Sequence, residues 1–343
     1  MEEAAGAELA EDMPDIDAQV VEFPEVKGDA SQNSREGSLE EMKSELEDSP
    51  GVEEVYYNYV RTGTQATNDP RFGQQYGLRK TGFPTAWKRH PRGVKVAVVD
   101  SGVAAGHPDL RGKVVAGYDF HNNNASVEDL NGHGTHIAGI IAAKTSNGVG
   151  VASGCPKCTI VAAKALDKNL SGFDSNIARA INWSVNNGAK VVNLSLGSDE
   201  GEKSVLKRSI DYARSKGAVV VVAGGNYGDN RRVWPAVYDN VVSVPYTDAR
   251  DVRSRNSSFG GWIDMAAPGV NIVSTVPGGY QAKSGSSFSA PHAAALAGVL
   301  LGQNRSPGIV IRRMKLTAND IGPRGRDAFY GYGRINAERA SRR

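Results

Sequence analysis

Three short segments hold the residue types that nucleophilic catalysis needs. Asp100 follows the apolar run Val96-Ala97-Val98-Val99 and precedes Ser101-Gly102. His133 opens His133-Gly134-Thr135-His136, directly ahead of the apolar Ile137-Ala138-Gly139-Ile140-Ile141. Ser287 lies in Lys283-Ser284-Gly285-Ser286-Ser287-Phe288-Ser289-Ala290-Pro291-His292, which runs into an Ala-, Leu- and Val-rich stretch. A serine hydroxyl is a weak nucleophile until a base takes its proton. An imidazole does this when a carboxylate fixes its tautomer and stabilises the imidazolium. Each residue alone has a plainer reading. Asp100 or Ser287 would serve as a helix N-cap, and His133 with His136 as a metal pair, although the HExxH spacing and a third ligand are missing.

The elements around these residues put them in one place. Val94–Val99, Ile160–Ala165, Val191–Leu196, Val219–Ala223 and Val241–Val244 are short apolar runs that read as buried strands. Helices are expected over Asn176–Asn187 and Lys203–Lys216, with another continuing through Ile137–Ala143. Strands alternating with helices predict an α/β fold, a doubly wound, mostly parallel sheet with helices on both faces. In such a sheet, reactive side chains gather where strands end and helices begin. The N-terminal part is different. Residues 1–17 are acidic and expected to be disordered. Residues 18–66 read as strand–helix–strand: a strand over 19–23, a helix over roughly 39–48 with a Ser38/Glu41 capping box, a stop at Ser49-Pro50-Gly51, and a strand over Val52–Val60. The polar stretch from Arg61 to Asn68 reads as a linker open to cleavage.

Composition narrows the class. The 343 residues are 23% charged and 40% hydrophobic, mean hydropathy is −0.39, and no apolar run approaches the ~18 residues of a membrane helix. Residues 1–67 carry 18 acidic and 4 basic side chains, net −14, against 20 and 36 in the remainder, net +16. The basic surface is a solvated face or a dock for the acidic segment. No aromatic–basic module speaks for nucleic acid. Cys155 and Cys158 are the only cysteines, too few to close a zinc site; a short-loop disulfide and two free thiols both stay open. The first residues lack the basic and apolar regions of a signal peptide, so the protein stays inside the cell or its leader has been removed.

Asp100-Ser101-Gly102, His133-Gly134-Thr135-His136-x-Ala138-Gly139 and Gly285-x-Ser287-x-Ser289-Ala290-Pro291-His292, in this order, resemble the motifs of the subtilisin-like serine proteases, the subtilases. The likeness spans about residues 68–343, includes the closing segment Asp327–Ala337, and is to thermitase-like members. It implies a subtilisin-like catalytic domain over 67–343 in which Asp100, His133 and Ser287 form a triad. Asn226 would donate to the oxyanion together with the Ser287 backbone N–H. Ser195, Leu196 and Gly197 would pair with the substrate backbone. A pocket would lie between them, Ala223-Gly224-Gly225 and Val233, where a valine in place of the common glycine makes the floor shallower. The resemblance also implies a structural Ca2+ held by Asp69, Asp109 and Asn147 with the carbonyls of Thr145, Val149 and Val151. A weaker site would use Asp264 with carbonyls near Ala236 and Tyr238. Trp234-Pro235 would be cis. Residues 18–66 would be an inhibitory prosegment, cleaved off at about 61–68. The expected protein is a secreted (alternatively cytoplasmic), monomeric endopeptidase acting on proteins and peptides, with no nucleic acid or membrane partner. Departures from the family pattern are Ser286 for threonine, Phe288 for methionine, Asn256 for an aromatic, and Pro245 within a strand.

Overall fold

The computed structural model describes residues 8–14, 17–22, 41–56, 67–202 and 204–342, and the chain divides into two units, Met1–Thr64 and Gln65–Arg343. In the first unit β1 (Glu8–Met13) pairs antiparallel with β2 (Ala18–Glu22). Residues 8–13, expected to be disordered, are therefore a strand. Their acidic composition disfavours one locally, and the ladder to the Val20-Val21 strand supplies what propensity does not. Helix α1 spans residues 41–47, inside the expected 39–48, and buries Leu46 while Lys43 and Glu47 pair at 3.2 Å. The Ser38 cap lies outside the described residues. Residues 52–56 form no strand, contrary to the reading of Val52–Val60. Two glutamates separate Val52 from Val55, which puts the valines on opposite faces of an extended segment, and no ladder forms there; 57–60 lie outside the described residues.

The second unit is built on six strands: β3 (Lys95–Asp100), β4 (Val114–Asp119), β5 (Thr159–Lys164), β6 (Ala189–Leu194), β7 (Val219–Ala223) and β8 (Val242–Val244). They lie in the order β4-β5-β3-β6-β7-β8, and every pair is parallel. Short helices α2 (Tyr76–Lys80) and α3 (Phe83–Trp87) precede the sheet; α4 (His133–Ala142), α5 (Asp174–Asn186), α6 (Val205–Ser215) and α7 (Ser286–Leu301) cover it. Side chains along β3 alternate between two cores. Val96 and Val98 join the cluster that includes α4 and α7, while Ala97 and Val99 join the one that includes α5 and α6. Burial on both faces is why these strands read as continuous apolar runs. The sequence reading missed β4 for the complementary reason: it is an edge strand, mostly part-exposed, and carries Gly117 and Tyr118 instead of an apolar run.

Beyond β8 come β9 (Tyr246–Thr247), β10 (Ala267–Pro268) and the hairpin β11 (Ile272–Val276) with β12 (Gly279–Lys283). Pro245 separates β8 from β9, since it has no N–H to give a ladder. Helices α8 (Pro307–Thr317) and α9 (Ala337–Ala340) close the chain. Cys155 and Cys158 form a disulfide, S–S 2.02 Å, which resolves the pair left open by sequence. Among the described residues no helix is long and apolar enough to cross a membrane.

The crossing order matters for function. β3 is flanked by β5 on one side and β6 on the other, so the chain changes direction across the sheet at β3. A crevice opens at such a switch point beyond the strands' C-terminal ends. Asp100 ends β3, and Ser195 follows the end of β6.

Candidate active site

Asp100 is fully buried and accepts a 2.7 Å hydrogen bond on Oδ1 from Nδ1–H of His133, the first residue of α4. The Ser101 N–H adds a 2.8 Å bond to the same oxygen. The two elements meet closely because residue 134 is glycine: a Cβ there would stand 2.1 Å from the Gly102 carbonyl oxygen. Burial pushes the His133 pKa down, but the charge of Asp100 and its hydrogen bond push it up further. Asp129 adds to the rise and Lys283 opposes it, and the net shift is upward. Phe288 packs edge-on against the rings of His133 (5.4 Å) and His136 (4.7 Å). The Phe288 departure thus has a local role, as a wall that holds His133. His136 donates from Nε2 to the Gln281 carbonyl at 2.9 Å, and burial drives its pKa down to about 3. It is a packed neutral ring, not half of a metal pair.

Ser287 is the second residue of α7, a helix buried along almost its whole length. Gly285 precedes that helix at φ +147°, a conformation that favours glycine, and its N–H is fixed to the Gly269 carbonyl at 2.8 Å. The turn leaves Ser287 partly exposed between buried Ser286 and Phe288. Its Oγ donates to the Ser195 carbonyl at 3.2 Å, while Ser195 Oγ donates to the Ser287 carbonyl at 2.9 Å. The hydroxyl is thus parked on the end of β6 and makes no hydrogen bond to His133. Asn226, just beyond β7, accepts at Oδ1 from the Ser286 N–H (2.9 Å) and the Ser286 hydroxyl (3.0 Å). With the oxygen engaged, Nδ2 is the amide atom left to donate. Serine at 286 does this as well as threonine would.

His133, Asn226 and Ser287 line one cleft of about 490 Å³. Of the residues expected to bind substrate, Ser195, Leu196, Gly197, Ala223, Gly225 and Val233 line it as well. Gly224 does not; it lies behind, with its N–H on the Val244 carbonyl at 2.9 Å. Val233 is buried, and its two methyls fill the space beside Gly197 and Gly225. Trp234 exchanges 2.8 and 2.9 Å backbone bonds with Ser198, and the Trp234-Pro235 peptide is cis.

Three of the expected cation ligands, Asp69, Asp109 and Asn147, also come together. Asp69 and Asp109 are fully buried, and among the described residues neither is in an ion pair. Asp69 accepts from Ser146 N–H (2.9 Å) and Asn147 N–H (3.0 Å), and Asp109 from Val151 N–H (2.9 Å) and Asn147 Nδ2 (2.9 Å). Asn147 turns its nitrogen to Asp109 and keeps Oδ1 on the Val149 N–H at 3.1 Å. A Cβ at Gly150 would stand 2.0 Å from the Tyr280 hydroxyl and 2.3 Å from Asp109 Oδ2, so glycine there leaves room for Tyr280 to reach that carboxylate. Arg71 stacks on Tyr280 at 4.9 Å instead of pairing with either acid. Two buried carboxylates without a countercharge are costly, and an all-oxygen set suits a hard cation. The weaker site expected at Asp264 is not supported. Its carboxylate is paired with Lys315 Nζ at 2.7 Å and accepts the Ser243 N–H at 3.2 Å, so an ammonium already supplies the charge. Among the described residues the one cluster of three metal-binding side chains is His90, Cys155 and Cys158, whose sulfurs are joined.

Comparison with known proteins agrees with this geometry. The profile of the Subtilase family matches residues 91–333. The chain is 42% identical over 308 residues to a thermophilic serine proteinase of Bacillus sp. (strain AK1), covering 89% of this chain and 76% of that protein. It is 43% identical over 276 residues to thermitase of Thermoactinomyces vulgaris, covering 80% and 98%. A solved structure of a protease from Pseudoalteromonas arctica PAMC 21717 superposes with a TM-score of 0.72 at 30% identity, covering 81% of this chain and 99% of that one. With a family profile matched over most of its length and relatives above 40% identity, the chain belongs to the subtilase family of serine endopeptidases.

Proposed function

We propose that Asp100, His133 and Ser287 are the catalytic triad of a protease made as a zymogen. The observation that carries this is the buried 2.7 Å Asp100–His133 bond facing, across one cleft, a serine at a helix N-terminus. A peptide bound along Ser195–Gly197 as an added strand would bring its carbonyl to Ser287. On substrate binding the Ser287 hydroxyl leaves the Ser195 carbonyl and turns to His133 Nε2; hydrogen bonds of this kind commonly tighten only in the substrate complex. His133 takes the proton as Oγ attacks, Asp100 holds the imidazolium, and the developing oxyanion is met by Asn226 Nδ2 and the Ser287 N–H. His133 then passes the proton to the leaving amine, and water releases the acyl group by the same route.

Residues 18–66 act in this reading as an inhibitory prosegment that the enzyme removes itself. The unit boundary at Thr64/Gln65 and the opposite charges of the two parts support it. Incubating the purified full chain should produce a new N-terminus between residues 61 and 68, while Ser287→Ala stays full length. Full peptidase activity from a chain that never shortens would refute the zymogen reading. The Cys155–Cys158 disulfide favours a secreted protein, since disulfides persist in oxidising compartments, and we take the chain to act as a monomer.

Asp69 and Asp109 would hold a structural Ca2+, with the carbonyls of Thr145, Val149 and Val151 completing its shell and the amide oxygen of Asn147 joining it once that amide turns over from its bonds to Asp109 and the Val149 N–H. The ion would neutralise the two carboxylates and tie the 145–151 loop to the segment after Thr67. An ion bound only by the folded state at 100 times its Kd stabilises by about 2.7 kcal/mol, or roughly 5–10 °C in Tm for a domain of this class. EDTA should lower Tm by that order, and Asp109→Ala should abolish the EDTA effect. A wild type indifferent to EDTA would remove calcium from the account.

A further inference from the structure

Asp129 is not among the residues that the sequence motifs single out, yet it is the most heavily bonded carboxylate near the site. It lies in the loop ahead of α4, four residues before His133, and is 4% exposed. Its Oδ1 accepts from the Ser101 hydroxyl (2.9 Å), the Asn131 N–H (3.1 Å) and the Gly132 N–H (2.8 Å). Its Oδ2 accepts from the Thr135 N–H (2.8 Å) and the Thr135 hydroxyl (2.6 Å). Gly132, the residue that caps α4, has no side chain for the helix's free N–H groups, and Asp129 takes over that task. A negative charge at this helix end is favourable in its own right.

The bond to Ser101 gives the arrangement its consequence. Ser101 follows Asp100 at the end of β3. Its N–H holds Asp100 Oδ1 at 2.8 Å, and its Oγ receives the Gly134 N–H at 3.1 Å while donating to Asp129. One carboxylate therefore fastens the strand end that supplies Asp100 to the helix turn that supplies His133. We propose that Asp129 is a positioning residue for the Asp100–His133 pair, locking the end of β3 to the first turn of α4 through Ser101, Gly132 and Thr135. The charged groups that act on His133 are Asp100 from β3, Asp129 from the loop and Lys283 from β12; His136 from α4 faces it as a neutral ring, and α7 presents the apolar Phe288. Asp129 and Asp100 favour the imidazolium, and Lys283 opposes it. The proposal rests on the triad reading for its effect on rate, but its effect on His133 can be measured without catalysis.

Two variants separate charge from bonding. Asp129→Asn removes the charge and puts an NH2 group against N–H and O–H donors. Ser101→Ala keeps the charge and removes the link to β3. The His133 titration midpoint is read by NMR in full-length chains that also carry Ser287→Ala, and kcat and KM are read in chains that keep Ser287. For Asp129→Asn the midpoint should fall and kcat should drop by roughly 10²-fold, the scale of a small misplacement of reacting groups, with KM nearly unchanged. For Ser101→Ala kcat should drop by a smaller factor with the midpoint unmoved. An unchanged midpoint in Asp129→Asn, or kcat at the wild-type value in Ser101→Ala, overturns the proposal. If Asp129→Asn does not fold, Ser101→Ala decides it alone: reduced kcat at an unmoved midpoint upholds the link, and wild-type kcat refutes it. Failure of the triad reading would show differently, as peptidase activity that survives Ser287→Ala.

Discussion

Replacing Ser287 by alanine should lower kcat for peptide hydrolysis by about 10⁶, the scale known for the equivalent change in subtilisin itself. The change deletes the proposed nucleophile and little else. Ser287 is partly exposed, and its Oγ makes a single hydrogen bond, to the Ser195 carbonyl at 3.2 Å. Tm should therefore stay close to wild type. KM should change little, because the cleft walls at Ser195–Gly197 and Val233 are untouched. The Ser287 N–H and Asn226 remain, so a residual acceleration of about 10³–10⁴ over water is expected from the oxyanion site and binding alone. A loss of only tenfold would mean that another group attacks the carbonyl.

Asp100→Asn should cost roughly 10⁴ in kcat at nearly constant KM. The substitution keeps shape and reverses hydrogen-bond sense. Asp100 Oδ1 accepts from His133 Nδ1–H at 2.7 Å and from the Ser101 N–H at 2.8 Å; because both bonds end on this one oxygen, an amide that turns its NH2 toward the ring gives up the Ser101 bond as well. His133 then accepts at Nδ1 and carries its proton on Nε2, where it cannot take one from Ser287. The pH profile should move as well. Asp100 is the main influence raising the His133 pKa against the depression caused by burial. Without its charge burial dominates and the pKa falls. Activity requires the neutral imidazole, so the acid limb of kcat/KM should shift to lower pH. A limb that stays in place or moves up would show that Asp100 does not act on His133.

Much of this protein is legible in its sequence. β3, β5, β6, β7 and β8 are legible because strands buried on both faces are mostly apolar, with Asn193 and Ser243 as buried exceptions; Asp100 stands out because it ends such a run, and His133 and Ser287 because each leads into an apolar helix. What was missed follows from physics that sequence does not display. β4, on the sheet's edge, carries no continuous run, and the pairing of acidic β1 with β2 is a tertiary outcome. Asp129 gave a faint signal, an acidic residue just ahead of a helix start, but such residues are usually caps and nothing more. Its link to Ser101 spans 28 residues of sequence and exists only once β3 and α4 are adjacent. Asp264 erred in the opposite direction. A carboxylate near loop carbonyls resembles a cation ligand until Lys315, 51 positions away along the chain, is seen to hold it.

The most direct test of the central claim is to locate the adduct of a fluorophosphonate probe on the enzyme by peptide mass spectrometry. Such a probe phosphonylates a serine only where a base activates the hydroxyl and donors receive the phosphoryl oxygen. The account predicts one stoichiometric adduct, on the peptide bearing Ser287, formed rapidly by the wild type, strongly slowed in Asp100→Asn and absent in Ser287→Ala. An adduct on any other residue, or equal labelling of the wild type and Ser287→Ala, would contradict it.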